Sequence, residues 1–195
     1  MDIKIRNLCK NFGEKNVLNN LNVDIQKNCI TFLRGKSGIG KTTLLNILMG
    51  IEEFDSGEVV GVDRKNISAI FQSDVLFENL SVFLNLKLVN DNLTEEIVKR
   101  ELEKVDLDGV IYTRVRELSG GMKRRIAILR AMLSDFEFMI MDEPLKGLDE
   151  KTKIKIMNYI IENTSQKTVL FVTHTDDEVE YFKNNLEKIN VIEIA

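Results

Sequence analysis

The residues Cys29-Ile30-Thr31-Phe32-Leu33 form a continuous, largely apolar run. It leads through Arg34 into Gly35-Lys36-Ser37-Gly38-Ile39-Gly40-Lys41-Thr42, and the apolar residues Leu44, Ile47 and Leu48 then recur at helical spacing. This succession of strand, glycine loop and helix constrains the fold more than any other stretch of the chain. A short apolar run without alternation suits a strand covered on both faces, as in a parallel sheet. The loop fits the pattern G-x-x-x-x-G-K-[ST], whose glycines let the backbone curl so that successive N–H groups face a phosphate. The following helix directs its positive end at the same anion. Lys41 is expected to add a point charge for β- and γ-phosphates, and the Thr42 hydroxyl to bind Mg²⁺.

The remainder of the chain repeats the alternation. Ile3, Ile5 and Leu8 begin one strand, Val23 and Ile25 another, and Val59, Val60 and Val62 and residues 67–71 read as two more. From about residue 76 to 118 a helical period dominates. Val98, Leu102 and Val105 share a face there, and Thr94 followed by Glu95 and Glu96 marks a helix start. After Ser119 come a helix to about Leu133, a strand over 136–141, a helix over 151–162, a strand over 168–173, a short helix, and a strand over 189–194. Strand–helix alternation of this kind predicts an α/β fold with a mainly parallel sheet flanked by helices. It is interrupted by a helical insertion, giving a single domain over 1–195 with a core of 1–75 and 119–195 and a helical part at about 76–118. In its 195 residues the apolar fraction is 44%, enough for a sizeable core, and 27 basic residues against 31 acidic give a net charge of −4. That balance offers no global attraction to nucleic acid or an anionic bilayer. The two cysteines, Cys9 and Cys29, are too few for a disulfide framework, and no signal peptide or membrane-length apolar run is seen. A cytosolic, soluble protein is expected.

Two further constellations carry chemistry. The strand Phe138-Met139-Ile140-Met141 ends in Asp142-Glu143, which places two carboxylates at the carboxyl edge of a sheet. Asp142 suits Mg²⁺ and Glu143 is placed to polarise an attacking water. Leu118-Ser119-Gly120-Gly121-Met122 opens a helix with Met122, Ile126, Leu129 and Leu133 on one side. Ser119 is a good N-cap, and the free N–H groups there make either an ordinary capped start or a second anion site. Lys123, Arg124, Arg125 and Arg130 on the same helix are expected to form a solvated face.

The set resembles the nucleotide-binding domain of ATP-binding cassette (ABC) ATPases, and the likeness spans essentially the whole chain. Gly35, Lys36, Ser37, Gly38, Ile39, Gly40, Lys41, Thr42 and Thr43 resemble the Walker A loop, and 138–143 resembles Walker B with Glu143 as its catalytic residue. Residues 118–122 resemble the family signature, Gln72 the Q-loop glutamine, and Leu148-Asp149 the D-loop. The one histidine, His174, resembles the switch histidine, and Phe12 the aromatic that stacks on adenine.

The resemblance implies a P-loop NTPase core with an N-terminal antiparallel β part, and hydrolysis of ATP to ADP and phosphate with Mg²⁺ held by Thr42, Gln72 and Asp142. It also implies a head-to-tail dimer, homomeric or heteromeric, in which Ser119, Gly120 and Gly121 close on the ATP of the other subunit. An integral-membrane permease, touched by residues 72–80, would be driven by that dimer, with the ATPase peripheral on the inner face of the membrane. Residues 118–125 and 141–149 look most like the nitrate/sulfonate/taurine import group. Met122 stands where glutamine is commonest, and Lys146-Gly147 replaces the usual small residues. The sequence ends about where the catalytic core would, so a C-terminal regulatory domain is not expected. The alternative is a soluble ABC ATPase of an assembly complex, of iron–sulfur type. A P-loop kinase would lack the signature, and a non-catalytic binder would be expected to lose Glu143 or His174.

Overall fold

The computed structural model describes residues 1–194. In chain order its first elements are β1 (Ile3–Phe12), β2 (Lys15–Ile25), β3 (Ile30–Arg34), α1 (Lys41–Met49), β4 (Ser56–Val60) and β5 (Ile67–Ile70). They are followed by α2 (Val82–Lys87), α3 (Glu95–Glu103), α4 (Gly120–Met132), β6 (Phe138–Asp142), α5 (Glu150–Asn163), β7 (Thr168–Val172), α6 (Asp176–Asn185) and β8 (Ile189–Glu193). The strands form two sheets, a three-stranded one in the order β2-β1-β4 and a five-stranded one in the order β5-β6-β7-β3-β8. The α/β class with a parallel sheet and an antiparallel β part agrees with the sequence reading.

The chain divides into two compact units. The first comprises Met1–Ile67, Glu137–Asp142 and the chain from Gln166 onward. In it β1 pairs antiparallel with both β2 and β4. Alternation buries Ile3 and Ile5 and leaves Lys4 in solvent, and a register shift after Ile5, with Asn7 at φ 49, brings Leu8 back to the buried side. The parallel strands behave differently, with β6 and β7 buried at every position, as covering on both faces requires. Phe32 of β3, Phe171 of β7 and Phe182 of α6 pack with ring centroids 5.1–5.4 Å apart. They form the aromatic centre of this unit.

The second unit comprises Ser68–Phe136 and Glu143–Ser165. Its helices start on side-chain caps. Ser81 accepts from Leu84 N, Thr94 from Ile97 N, Ser119 from Met122 N and Asp149 from Thr152 N. Thr94 therefore opens α3 where the sequence placed a helix start. Arg124, Ala127, Ile128 and Ala131 form a buried stripe along α4. Glu101 of α3 and Tyr159 of α5, both buried, are joined by a hydrogen bond from the phenol to Glu101 Oε2 at 2.9 Å.

Candidate functional site

In the first unit the pairing register brings three strand ends to one sheet edge. Leu33 of β3 and Asp142 of β6 both stand opposite Val172 of β7. The glycine loop leaves from the first of these ends, Asp142 is the second, and His174 follows the third by two residues. Ligands of open α/β sheets bind at this edge.

The loop is shaped by its glycines. Gly40 caps α1 with φ 102, and a Cβ there would lie 2.6 Å from Leu18 Cδ2 and 2.9 Å from the Val17 carbonyl. A Cβ on Gly35 would lie 2.6 Å from the Ile194 carbonyl. Both positions therefore need glycine for space as well as for backbone angle. Lys36, Ser37 and Gly38 form the exposed crown of the loop, Ile39 is half-buried, and Thr43 is half-buried on α1. Lys41 is only 7% exposed, and its ammonium donates to the carbonyls of Gly35 at 2.8 Å and Lys36 at 3.0 Å. The cation thus lies against the loop whose N–H groups would hold a phosphate. No acidic residue occupies the first turn of α1, so nothing in that turn opposes an anion at its positive end.

The Thr42 hydroxyl donates to Asp142 Oδ2 at 3.3 Å. A hydroxyl and a carboxylate this close are hard oxygen donors of the type Mg²⁺ takes, with phosphate oxygens and water completing its shell. Among the described residues no cluster of three or more His, Cys, Asp or Glu suited to a metal occurs. The Thr42–Asp142 pair by itself offers two oxygen donors of a kind that fits a hard divalent cation.

His174 is exposed, and the backbone on either side of it is fixed through Thr173. The buried Thr173 hydroxyl donates to Glu178 Oε2 at 2.6 Å and accepts from Thr175 N at 3.1 Å. Phe12, the last residue of β1, is 47% exposed. The Lys10 ammonium lies 4.8 Å from its ring centroid and pairs with Glu52 at 2.6 Å. One face of that ring meets a cation within the chain.

In the second unit Gln72 and Glu143 meet. Gln72 Nε2 donates to Glu143 Oε2 at 3.4 Å, and the Lys146 ammonium reaches the same oxygen at 2.8 Å. Glu143 has φ 48, a left-handed conformation rare for a side-chain-bearing residue. Ser119, Gly120 and Gly121 form the start of α4. A Cβ on Gly120 would meet open space and one on Gly121 only Leu148 Cδ2 at 3.8 Å, and neither glycine has a positive φ. Asp149 caps α5: it accepts from Thr152 N at 3.0 Å and from the Thr152 hydroxyl at 2.7 Å. These bonds, the hydroxyl's foremost, hold its carboxyl below the usual aspartate range.

The expected solvated basic face on α4 is not found. Arg124 is only 4% exposed; its guanidinium donates to the carbonyls of Phe71 at 2.6 Å, Glu143 at 2.7 Å and Pro144 at 2.7 Å, and to Asp74 Oδ1 at 3.2 Å. Lys123 pairs with Glu78, Arg125 donates to the carbonyls of Val105 and Asp106, and Arg130 donates to that of Val75. Position outweighs charge here: Arg124 shares the i, i+3, i+4, i+7 stripe of Ala127, Ile128 and Ala131. That spacing was the available signal.

A family model described as ABC transporter matches residues 18–146. The spermidine/putrescine import ATP-binding protein PotA of Acetivibrio thermocellus is 35% identical over 194 residues, covering 90% of this chain and 55% of that protein. The sulfate/thiosulfate import ATP-binding protein CysA of Pseudomonas syringae pv. tomato is 33% identical, covering 91% of this chain and 61% of its own length. The phosphonates import ATP-binding protein PhnC of Fusobacterium nucleatum is 31% identical, with 94% of this chain and 87% of PhnC covered. The chain spans about half the length of the polyamine relatives it matches. These names do not support the lean toward the nitrate/sulfonate/taurine group.

Proposed function

The chain belongs to the ABC transporter family, and from that premise we propose that it is an ATP-hydrolysing subunit that energises import through a membrane permease. The observation that carries the reading is the edge of the parallel sheet. There the glycine loop, the buried Lys41 and the Thr42–Asp142 pair converge. The soluble assembly ATPase is the less favoured alternative, since each relative above is named an import ATP-binding protein.

In this mechanism the N–H groups of 36–43 and the Lys41 ammonium bind the phosphates, and Phe12 stacks on the base. Thr42 and Asp142, with Gln72, would hold Mg²⁺, which when bound neutralises phosphate charge. Glu143 accepts the proton of the attacking water, and His174 donates to the γ-phosphate. Ser119, Gly120 and Gly121 face the nucleotide of a second ABC subunit, and Asp149 lies at that interface. The open space around Gly120 supports this, because neither packing nor backbone angle within the chain calls for glycine.

The permease-facing surface is assigned to residues 72–80. Val75 and Phe77 are each 58% exposed, and Val75 is held at φ 42 with its carbonyl bonded by Arg130. A β-branched residue in that conformation, with its side chain in solvent, suits a surface shaped for a partner. Through that partner the subunit would lie on the cytoplasmic side of the membrane. Phosphate release from ATP by the purified protein tests the reading. Lys41→Ala should abolish it and weaken nucleotide binding, and turnover close to wild type in that variant would sink the assignment.

A further inference from the structure

Arg124 makes a set of contacts that neither the motifs nor the mechanism above uses. Its guanidinium is buried on α4, and three of its donors end on main-chain carbonyls. Nη1 donates to Phe71 O, the residue before Gln72; Nη2 donates to Glu143 O; Nε donates to Pro144 O, the residue after Glu143. These bonds are 2.6–2.7 Å long, short as charge-assisted bonds in a dry setting are. Asp74 Oδ1, at 3.2 Å, balances the charge.

The carbonyls held are those next to the two polar side chains that meet each other, Gln72 and Glu143. Glu143 also needs holding. It sits at φ 48 and precedes a proline, where sterics favour extended backbone. A strained conformation of this kind persists only where its surroundings over-determine it. Among the described contacts of this turn, the fork from Arg124 to two successive carbonyls does so. A planar guanidinium spreads its donors over three nitrogens in fixed directions and so reaches three carbonyls from separate segments; a lysine's three N–H groups radiate from one nitrogen on a flexible stem, without that fork.

We propose that Arg124 is a positioning residue: it fixes the main chain of Glu143 and of the segment entering Gln72, and so sets where the Glu143 carboxylate can take a proton. It also ties both to the helix that Ser119 opens one turn earlier, so a ligand engaging Ser119–Gly121 acts on a rigid piece that includes the Glu143 backbone. The proposal rests on the reading of Glu143 as general base.

The test is a double-mutant cycle on the full chain. Arg124→Gln should lower kcat for ATP roughly tenfold to hundredfold, the scale of a misplaced catalytic group. The affinity for a fluorescent ATP analogue should stay within about twofold, as expected when only transition-state positioning is lost. In a Glu143→Gln background the same change should cost less than about twofold, because the group it positions is gone. Arg124→Lys should fall between, with the charge kept and the fork lost.

If Glu143→Gln alone turns over like wild type, the general-base reading fails. If that variant is slow but Arg124→Gln turns over normally, only the positioning role falls. Equal losses in both backgrounds make Arg124 a structural residue and overturn the proposal. Thermal melts accompany each variant. If Arg124→Gln does not fold, Arg124→Lys carries the cycle, and failure of both to fold likewise reduces the residue to a structural one.

Discussion

The Lys146 ammonium lies 2.8 Å from Oε2 of Glu143, so the carboxylate assigned to water activation is ion-paired by a residue three positions along its own chain. The lysine is mostly in solvent while the carboxylate is partly sheltered. A pair of this exposure is worth little, about 0–1 kcal/mol, but it competes for the lone pair that takes the proton. Lys146→Ala should therefore raise basal ATP turnover by up to about fivefold, with nucleotide affinity unchanged. A drop in kcat would show that the cation assists rather than restrains Glu143.

Glu143→Gln keeps the side-chain size and removes the base. Turnover should slow by roughly 10²–10⁴-fold while ATP binding survives. If ATP bridges the glycine loop of one subunit and Ser119–Gly121 of another, stalled chemistry should trap a dimer in ATP but not in ADP, visible by size-exclusion chromatography. Adding Ser119→Arg should abolish that dimer and leave binding intact. A dimer persisting in the double variant contradicts the role given to the start of α4.

Phe77 offers a test of the partner surface. Its ring is in solvent, whereas its main-chain N–H and C=O are bonded by the Asn85 amide, so a side-chain change leaves the backbone anchored. Phe77→Glu should abolish coupling to a permease in reconstituted vesicles while the isolated subunit hydrolyses ATP as before. Loss of hydrolysis together with a lowered melting temperature would return Phe77 to a packing role.

The buried Tyr159–Glu101 pair gives a stability prediction. Burial, with Glu101 beside it, pushes the Tyr159 phenol well above its ordinary value of 10.0. A raised folded pKa means the folded state holds this proton more tightly than the unfolded chain. Its contribution is complete below the unfolded value and is lost as pH rises from there toward the folded one. The wild type should melt at progressively lower temperature above pH ~10, and Tyr159→Phe should flatten that part of the profile. At neutral pH the same change removes a donor from buried Glu101 and should cost about 1–3 kcal/mol by urea unfolding. Identical pH profiles for the two proteins would show that this phenol is not the group responsible.

What the sequence determined by itself was local chemistry in a fixed order. The run 29–33, the glycines of 35–40 and the carboxylates 142–143 reveal a parallel strand, an anion loop and a strand end, because each depends on spacing along one element. The strand before His174 pairs with the one ending in Asp142, an adjacency that strand–helix alternation favours because it leaves few topologies. Tertiary structure decided the rest. Helical spacing sets Arg124 in the stripe of Ala127, Ile128 and Ala131, but nothing local says that its fork closes on carbonyls about 20 and 53 residues away, or that Lys146 pairs with Glu143. Arginine is read as exposed because burying its charge is costly, and that cost is met here by main-chain oxygens from separate segments, which come together only when the chain folds.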